Sequence, residues 1–242
     1  MSDTQDRMRI ASYNIRKAVG TDRRRDPHRI LDIIGDLKAD VVVLQEADKR
    51  LGDRPGVLPV DEIAARCGLE SIGAAANGVS TGWHGNAILA RPGTSVQNIE
   101  RMHLPGIEPR GAVVADLVVR GMDLRVVALH LGLIRMSRRR QLSHLLDTLH
   151  TMRVMPTVVA GDFNEWSLKV GLGRLASHFS IHAPGKSFHA KRPVAALDRI
   201  ALNDLLALQD AGVVDTPLTR VASDHLPIWM EFSRIGADDP SS

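Results

Sequence analysis

Apolar and polar positions along the chain follow two different spacings, which predict strands interleaved with helices. Strands are indicated where apolar residues alternate with polar ones or form short uninterrupted runs. Eight segments have this pattern: 8–15, 41–47, 85–91, 111–119, 124–131, 157–163, 197–202 and 226–232. The turn-forming stretch 120–123 lies between two of them and predicts a β-hairpin.

Three other segments are typical of helices. Asp26 is a suitable N-cap with Pro27 at the first helical position, and apolar residues follow at helical spacing. A short helix is expected over 60–68, where a glycine closes it. Ser137 is expected to cap a third helix that continues to about Met152.

Hairpins combined with strand–helix–strand crossovers indicate an α/β fold with two mixed sheets stacked between helices. No linker rich in Pro, Gly or Ser divides the chain, and the sequence contains no internal repeat. We therefore expect one domain over residues 8–234, with frayed tails at 1–7 and 235–242.

The composition is that of an ordinary globular protein, with 242 residues, of which 44% are hydrophobic and 3% aromatic. No apolar run approaches the ~18–20 residues that span a bilayer, and the polar N-terminus contains no secretory signal. Cys67 is the single cysteine, which excludes an internal disulfide and a thiolate metal cluster. These features favour a cytoplasmic location.

Positive charge is concentrated in two runs, Arg23–Arg25 and Arg138–Arg140, in a chain of net charge +3 and pI about 9.3. Such clusters favour polyanions, although charge runs are also typical of a solvated face. If Ser137 caps the third helix, the second run lies in its first turn, beside the positive end of the helix dipole. A bound anion would offset that unfavourable placement.

The stretch VVAGDFNEW contains the most specific polar pattern of the chain. Residues two apart in a strand point to the same side, so Asp162 and Asn164 are predicted to project together from the end of a buried strand. A shared metal ion or phosphoryl oxygen explains such a pair. A strand that ends in an Asx turn explains it equally well.

Polar residues that suit a phosphate or a hard cation also lie at the ends of other predicted strands. These residues are Asn14, Glu46, His130, Asp198, Asp224 and His225. Ligand sites of α/β proteins commonly gather at strand ends. Each residue alone is unremarkable as a structural group, and it is their coincidence that predicts a site.

The motifs Asn-Ile-Arg, Gln-Glu, Gly-Asn-Ala-Ile, Gly-Asp-Phe-Asn, Leu-Asp-Arg-Ile and Ser-Asp-His-x-Pro occur in this order along the chain. Their order resembles that of the endonuclease/exonuclease/phosphatase superfamily, which includes deoxyribonuclease I, exonuclease III, neutral sphingomyelinases and inositol polyphosphate 5-phosphatases. The resemblance covers about residues 8–233. It implies a four-layered α/β sandwich and metal-dependent hydrolysis of phosphoesters.

The resemblance also implies a metal site and a group that activates water. Asp162 would position or deprotonate the attacking water, and Asn164 would hold a phosphoryl oxygen. Glu46 would be the principal ligand of Mg²⁺ or Mn²⁺ with Asn14 alongside, and Asp224 would lie near a second metal position. Hard cations of this type prefer oxygen ligands.

Four further roles follow from the same resemblance. His225 would be the catalytic histidine, and Asp198 would orient it. His130 and Arg110 would contact the phosphate. Deoxyribonuclease I-like members place a Glu beside the equivalent of His130, whereas segment 82–86 has no carboxylate, so Asn86 is the candidate to orient this ring.

Three functions remain open from the sequence. The first is a nuclease that acts as a monomer on DNA or RNA, supported by the arginine runs. The second is a hydrolase of phospholipids or small phosphoesters, which an exposed aromatic or apolar hairpin would favour; no such anchor is expected among one Tyr, four Phe and three Trp. The third is a catalytically inactive scaffold, which the complete motif set disfavours. Arg199 and Ile200 after the Leu-Asp pair disfavour abasic-site repair.

Overall fold

A computed structural model describes residues 7–50, 52–167 and 171–236, and twelve strands within these ranges form two six-stranded mixed sheets. The first sheet contains, in spatial order, β11 (Leu206–Val213), β12 (Ile228–Arg234), β1 (Met8–Asn14), β2 (Val41–Gln45), β4 (Ala87–Ala90) and β3 (Glu70–Ser71). The second contains β5 (Ser95–Leu104), β6 (Arg110–Val119), β7 (Met122–His130), β8 (Thr157–Asp162), β10 (Asp198–Leu202) and β9 (Ser180–His182). The pairs β1–β2 and β7–β8 are parallel, and the other pairs are antiparallel.

Helices cover the outer face of each sheet. The helices are α1 (Pro27–Asp36), α2 (Val60–Cys67), α3 (Arg135–Thr151), α4 (Gly173–Ala176) and α5 (Thr219–Ala222). The first two pack on the first sheet, and α3 with α4 packs on the second. In the described part of the chain, no helix combines the length and the hydrophobicity that crossing a membrane requires.

Three apolar cores separate four layers. In β2, Val41 and Val43 face the core between the two sheets, whereas Val42 and Leu44 face the core under α1 and α2. Both faces of the central strands are therefore buried, and burial of each such aliphatic side chain contributes about 1.5–3 kcal/mol. The four-layered α/β sandwich expected from the sequence is confirmed.

The space between the two sheets changes from apolar to polar at one end. On β7, inward-facing Ala128 is followed two positions later by His130, and on β8 Ala160 is followed by Asp162. The same change brings Asn14, Gln45, Asn86 and Asp198 to this end of the sheets. The strand alternation that builds the central core thus also gathers the polar side chains.

Local signals correctly predicted several element ends. The Oδ1 of Asp26 accepts a hydrogen bond from the backbone N–H of Arg29 (3.2 Å), and α2 ends at Gly68 in the left-handed region (φ 68°). The β6–β7 hairpin turns through Arg120 (φ 51°) and Gly121 (φ 83°), as a two-residue type I′ turn requires.

The expected N-cap at Ser137 is wrong. Helix α3 begins two residues earlier, at Arg135, and Ser137 is a buried residue inside its first turn. The preceding loop is held from within the helix, because Gln141 Oε1 accepts from the N–H of Gly132 (2.9 Å) and Arg138 donates to the carbonyl of Leu133 (2.6 Å). The run 138–140 is therefore not one exposed anion site.

Several edge elements were not expected from the sequence. Strand β5 has only Met102 and Leu104 buried, so its pattern lacks the apolar alternation of a strand, and β11 is similarly exposed. The expected tails fall mostly outside the described residues. Within them, Ile235 is tied by its N–H to the carbonyl of Leu205 (3.0 Å).

Candidate active site

Asp162 lies at the centre of a buried polar cluster where the two sheets meet. Its Oδ2 accepts a hydrogen bond from Asn14 Nδ2 (3.1 Å) and lies 3.4 Å from Nε2 of His130 and 3.7 Å from Nε2 of His225. Asn14 belongs to the first sheet and Asp162 to the second. One carboxylate oxygen therefore joins the sheets and faces two histidines.

The other side of the His225 ring is held by a second carboxylate. Nδ1 of His225 lies 2.8 Å from Oδ2 of Asp198, which also accepts a hydrogen bond from the Ser187 hydroxyl (2.5 Å). A carboxylate at Nδ1 fixes a proton on that nitrogen and directs Nε2 towards Asp162. Ser187 lies in no motif that the sequence singled out.

The two histidines have opposite electrostatic environments. Burial lowers the pKa of His225, but Asp198 and Asp162 outweigh it and raise this pKa to about 10. Burial, with the positive charge of Arg110, holds the pKa of His130 well below its usual range. Burial raises the pKa of Asp162 to about 6. At neutral pH, His225 is therefore a cation, His130 is neutral and Asp162 is mostly ionised.

The segment after Asp162 forms a turn. Strand β8 ends at Asp162, and the backbone N–H of Asn164 donates to Asp162 Oδ1 (2.9 Å) with Asn164 in the left-handed region (φ 50°). The Asx-turn interpretation is thus confirmed, and the strand alternation does not extend to Asn164. Its Nδ2 instead donates to the carbonyl of Leu131 (2.8 Å), which holds this buried side chain beside the end of β7.

A cavity of about 90 Å³ adjoins the cluster and is lined by Glu46, Arg110, His130 and Lys17. Burial would raise the pKa of Glu46, but a hydrogen bond from Lys17 and the charge of Arg50 lower it below its usual value. Glu46 therefore carries a negative charge in a pocket that is lined by both basic and acidic side chains. Arg110 reaches this pocket while it is paired with Glu108 (2.8 Å).

Two places in the structure offer ligand atoms for a hard divalent cation. Asp162, Asp198 and His225 bring potential ligand atoms within 4.8 Å of one another. In that group, however, Oδ2 of Asp198 is occupied by Nδ1 of His225 and the Ser187 hydroxyl, while its Oδ1 has no hydrogen-bond partner among the described residues. Glu46 is the better fit, because its carboxylate faces a cavity and already holds a cation, the ammonium of Lys17. Carboxylate oxygen is the ligand type that Mg²⁺ and Mn²⁺ prefer.

Two of the remaining expectations concern Asp224 and Asn86. Asp224 lies beside His225 in the chain and pairs through Oδ2 with Arg16 Nε (3.3 Å), at the edge of the cluster. Asn86 does not orient His130. Its Nδ2 donates to the carbonyls of Trp83 and Gly111, and its Oδ1 has no hydrogen-bond partner within the described residues.

An aromatic pair next to His225, of which Trp166 is exposed and Phe188 half-buried, was missed. Trp166 lies largely in solvent with its ring centroid 6.2 Å from that of Phe188, which in turn lies 5.0 Å from the ring of His225. The sequence led us to expect no exposed aromatic or apolar hairpin. Trp166 lies in the loop after β8 and does not bear on that expectation, whereas the exposed Ile107 at the tip of the β5–β6 hairpin contradicts it. The position of Trp166 two residues after Asn164 was the available signal.

A carboxylate between a charged and a neutral histidine, beside a cavity lined by charged side chains, brings together groups that differ in protonation at one pH. The chain belongs to the endonuclease/exonuclease/phosphatase family, whose sequence model matches residues 11–225. Members of this family are phosphoester hydrolases that depend on a divalent metal ion.

The chain is also similar to individual proteins and solved structures. The uncharacterized protein YbhP of Escherichia coli K12 is 31% identical over 163 residues, which span 62% of this chain and 63% of YbhP. An endonuclease/exonuclease/phosphatase of Beutenbergia cavernae superposes with a TM-score of 0.74 at 23% identity, over 96% of this chain and 72% of the other. D. rerio TDP2 complexed with a single-strand DNA product gives 0.72 at 17% identity, over 94% and 99%. Both solved structures share the fold.

Proposed function

We propose that this protein is a phosphodiesterase that cleaves nucleic acid by attack of water on phosphorus, with Mg²⁺ or Mn²⁺ as cofactor. The observation that carries the proposal is the single Asp162 carboxylate held between charged His225 and neutral His130. Groups that differ in protonation at one pH supply the acid and the base of a hydrolysis.

In the proposed reaction, Asp162 orients the attacking water and takes up its proton as the water oxygen bonds to phosphorus. The bond to the leaving oxygen breaks, and His225, a cation oriented by Asp198, stabilises the negative charge or donates a proton to it. Asn164 and His130 hold the phosphoryl oxygens.

Three residues are proposed to hold the metal. Glu46 is its main ligand with Asn14 alongside, and Asp224 lies near a second position. The bound metal supplies a Lewis acid that offsets the charge on a phosphoryl oxygen. Arg110, at the same cavity as Glu46, is proposed to bind the phosphate; a guanidinium can hold two oxygens at once.

Nucleic acid is the proposed substrate because cations and an aromatic surface flank the candidate site. Lys17, Arg50 and Arg110 line the cavity, and the Trp166–Phe188 pair offers faces on which a base can stack. The solved relative with a DNA product agrees with this choice. We further propose, from the sequence, that the protein works as a monomer in the cytoplasm.

A phospholipid or small phosphoester is the second candidate. It is favoured by one observation, the exposed apolar residue Ile107 at the tip of the β5–β6 hairpin. Relatives that share such a site differ in their loops, and the loops select the substrate.

The decisive experiment is chelator treatment followed by addition of single metals, with plasmid DNA, oligonucleotides, phospholipid vesicles and inositol phosphates as substrates. We expect hydrolysis to require Mg²⁺ or Mn²⁺ and to be strongest on nucleic acid. Glu46→Gln should raise the metal concentration that gives half-maximal rate, whereas Glu70→Gln, on the distant edge strand β3, should not. Undiminished turnover by metal-free protein would refute the metal assignment, and turnover of vesicles alone would favour the second candidate.

A further inference from the structure

Two loops beside the candidate active site expose large aliphatic side chains to solvent. Ile107, at the tip of the β5–β6 hairpin, is 83% exposed. Between β7 and the first turn of α3, Leu133 is 67% exposed, Met136 is 63% exposed and Ile134 is also exposed. We call these four side chains the apolar rim. Exposed apolar patches of this kind mark interaction surfaces.

The two loops form one continuous surface. The N–H of Leu133 donates to Oε1 of Glu108 (2.9 Å), which ties the β7–α3 loop to the hairpin tip. A side chain at Gly106 would lie 3.4 Å from Ser137, so the hairpin also packs on the first turn of α3. Ile107 and Met136 are adjacent in sequence to the residues that make these contacts.

The scaffold beneath the rim is buried and ordered. Arg138 Nη2 forms an ion pair with Glu165 (2.9 Å), and its Nη1 donates to the carbonyl of Leu133 (2.6 Å). The N–H of Gly132 is held by Gln141. These contacts hold the backbone that carries the rim. The exposure of the rim's apolar side chains to water does not stabilise the fold.

Positive charge surrounds the rim. Arg135, Arg139 and Arg174 line a groove of about 570 Å³ next to it, and no acidic residue is present among the described residues of this groove. The stretch 131–146 contains no Asp or Glu. Glu108, the acidic residue of the hairpin tip, is neutralised by Arg110 (2.8 Å). Aliphatic side chains beside a group of arginines complement a surface that is apolar inside and anionic outside.

We propose that the apolar rim and the arginine groove dock the protein on an anionic lipid bilayer. The rim side chains enter the boundary between headgroups and acyl chains, and Arg135, Arg139 and Arg174 bind lipid phosphates. Glu108 bridges Leu133 of the rim to Arg110 of the cavity, so docking brings the cavity of Glu46 next to the membrane surface. This binding is a property of the surface and is independent of hydrolysis at the candidate site.

The first test is co-sedimentation with vesicles of phosphatidylcholine, with and without phosphatidylglycerol. We expect binding only to the anionic vesicles. The triple change Ile107→Ser, Leu133→Ser and Met136→Ser should weaken it at least about tenfold, given the transfer free energy of aliphatic groups. The matched control is Val154→Ser, because Val154 is also 83% exposed but lies past the other end of α3, about 25 Å away.

The second test reports insertion directly. Ile107→Trp should gain fluorescence that brominated acyl chains quench, and Val154→Trp should not. Arg135→Ser combined with Arg139→Ser and Arg174→Ser should abolish the preference for anionic vesicles and its dependence on salt. Turnover of a soluble phosphodiester reporter should be unchanged in the rim variant, so a failure of the proposed hydrolysis leaves this test intact.

Three results would overturn the proposal. One is the absence of binding to anionic vesicles by the unmodified protein. Another is equal binding by the rim variant and the Val154→Ser control. The third is loss of oligonucleotide binding by the arginine variant in a protein that ignores vesicles, which would assign this surface to nucleic acid.

Discussion

Two buried charged clusters lie three residues apart on the chain, one around Asp162 and one around Glu165, and they are built in opposite ways. Glu165 Oε2 pairs with Arg138 (2.9 Å), Oε1 accepts from the N–H of Ser167 (3.0 Å), and its backbone carbonyl accepts from Arg199 (3.0 Å). Burial raises the pKa of Glu165, but Ser167 and Arg138 outweigh it and hold the pKa below its usual value.

In the cluster around Asp162, burial and the negative charge of Asp198 outweigh the interactions that lower the pKa of Asp162. The pKa of Asp162 rises to about 6, and His225 between the two carboxylates stays protonated to about pH 10. Groups that titrate near neutral pH suit proton transfer, whereas a fully paired carboxylate such as Glu165 suits the holding of loops. We therefore expect changes in the first cluster to affect rate and changes in the second to affect stability.

The largest effect should come from the first cluster. Asp162→Asn and His225→Gln should each lower kcat by about 10²–10⁴-fold, the scale of lost acid–base catalysis, with the fold retained. Initial rates with Mg²⁺ and circular dichroism measure the two outcomes. Asp123→Asn, near the start of β7 at the far end of the second sheet, is the matched control. Near-normal turnover by either variant would remove that residue from the chemistry.

The next largest effect should come from the second cluster. Arg138→Ala leaves Glu165 buried without its partner, so we expect the free energy of unfolding to fall by about 3–5 kcal/mol. Its exposed neighbour is the control, and Arg139→Ala should change stability by no more than about 0.5 kcal/mol. Urea denaturation measures both. Equal effects of the two changes would mean that the buried ion pair does not hold the loops.

The smallest effect should come from Asp198, which belongs to the cluster around Asp162 but is proposed only to orient His225. Asp198→Asn removes a charge that raises the pKa of His225, so the basic limb of the rate profile should move to lower pH. We expect kcat to fall about tenfold or more while KM stays constant, because Asp198 positions His225 and does not touch substrate. The pH dependence of kcat measures this shift. If the variant loses folded structure and the basic limb of its pH–kcat profile does not move, Asp198 has a structural role.

Strands buried on both faces were predictable because their apolar runs carry their own signal. Edge strands such as β5 and β11 were not, since their pairing depends on backbone hydrogen bonds to distant segments and few of their side chains are buried. The start of α3 was misplaced for a related reason. Gln141 and Arg138 hold the preceding loop from inside the helix, and this outweighs the local preference for Ser137 as a cap.

The candidate site was predictable as a set of strand ends and less so in its contacts. Alternation placed His130, Asp162 and Asp198 at one end of the central core, as the structure has them. The Ser187 hydroxyl on Asp198 and the exposed ring of Trp166 come from loops, and the ammonium of Lys17 on Glu46 comes from the short 3-10 turn Arg16–Ala18. The conformations of such connections depend on the finished fold, so the sequence does not report which groups these side chains contact.

The arrangement of the strands also determines when the site comes into existence. The second sheet is a continuous stretch, 95–202, whereas the first sheet joins the two ends of the chain, with Met8 paired to Phe232. Asn14 therefore precedes the second sheet in the sequence and His225 follows it, and contacts of great sequence separation are slow to form. We expect His130, Asp162 and Asp198 to be brought together by the second sheet alone, and the candidate site to be completed only when β12 pairs with β1.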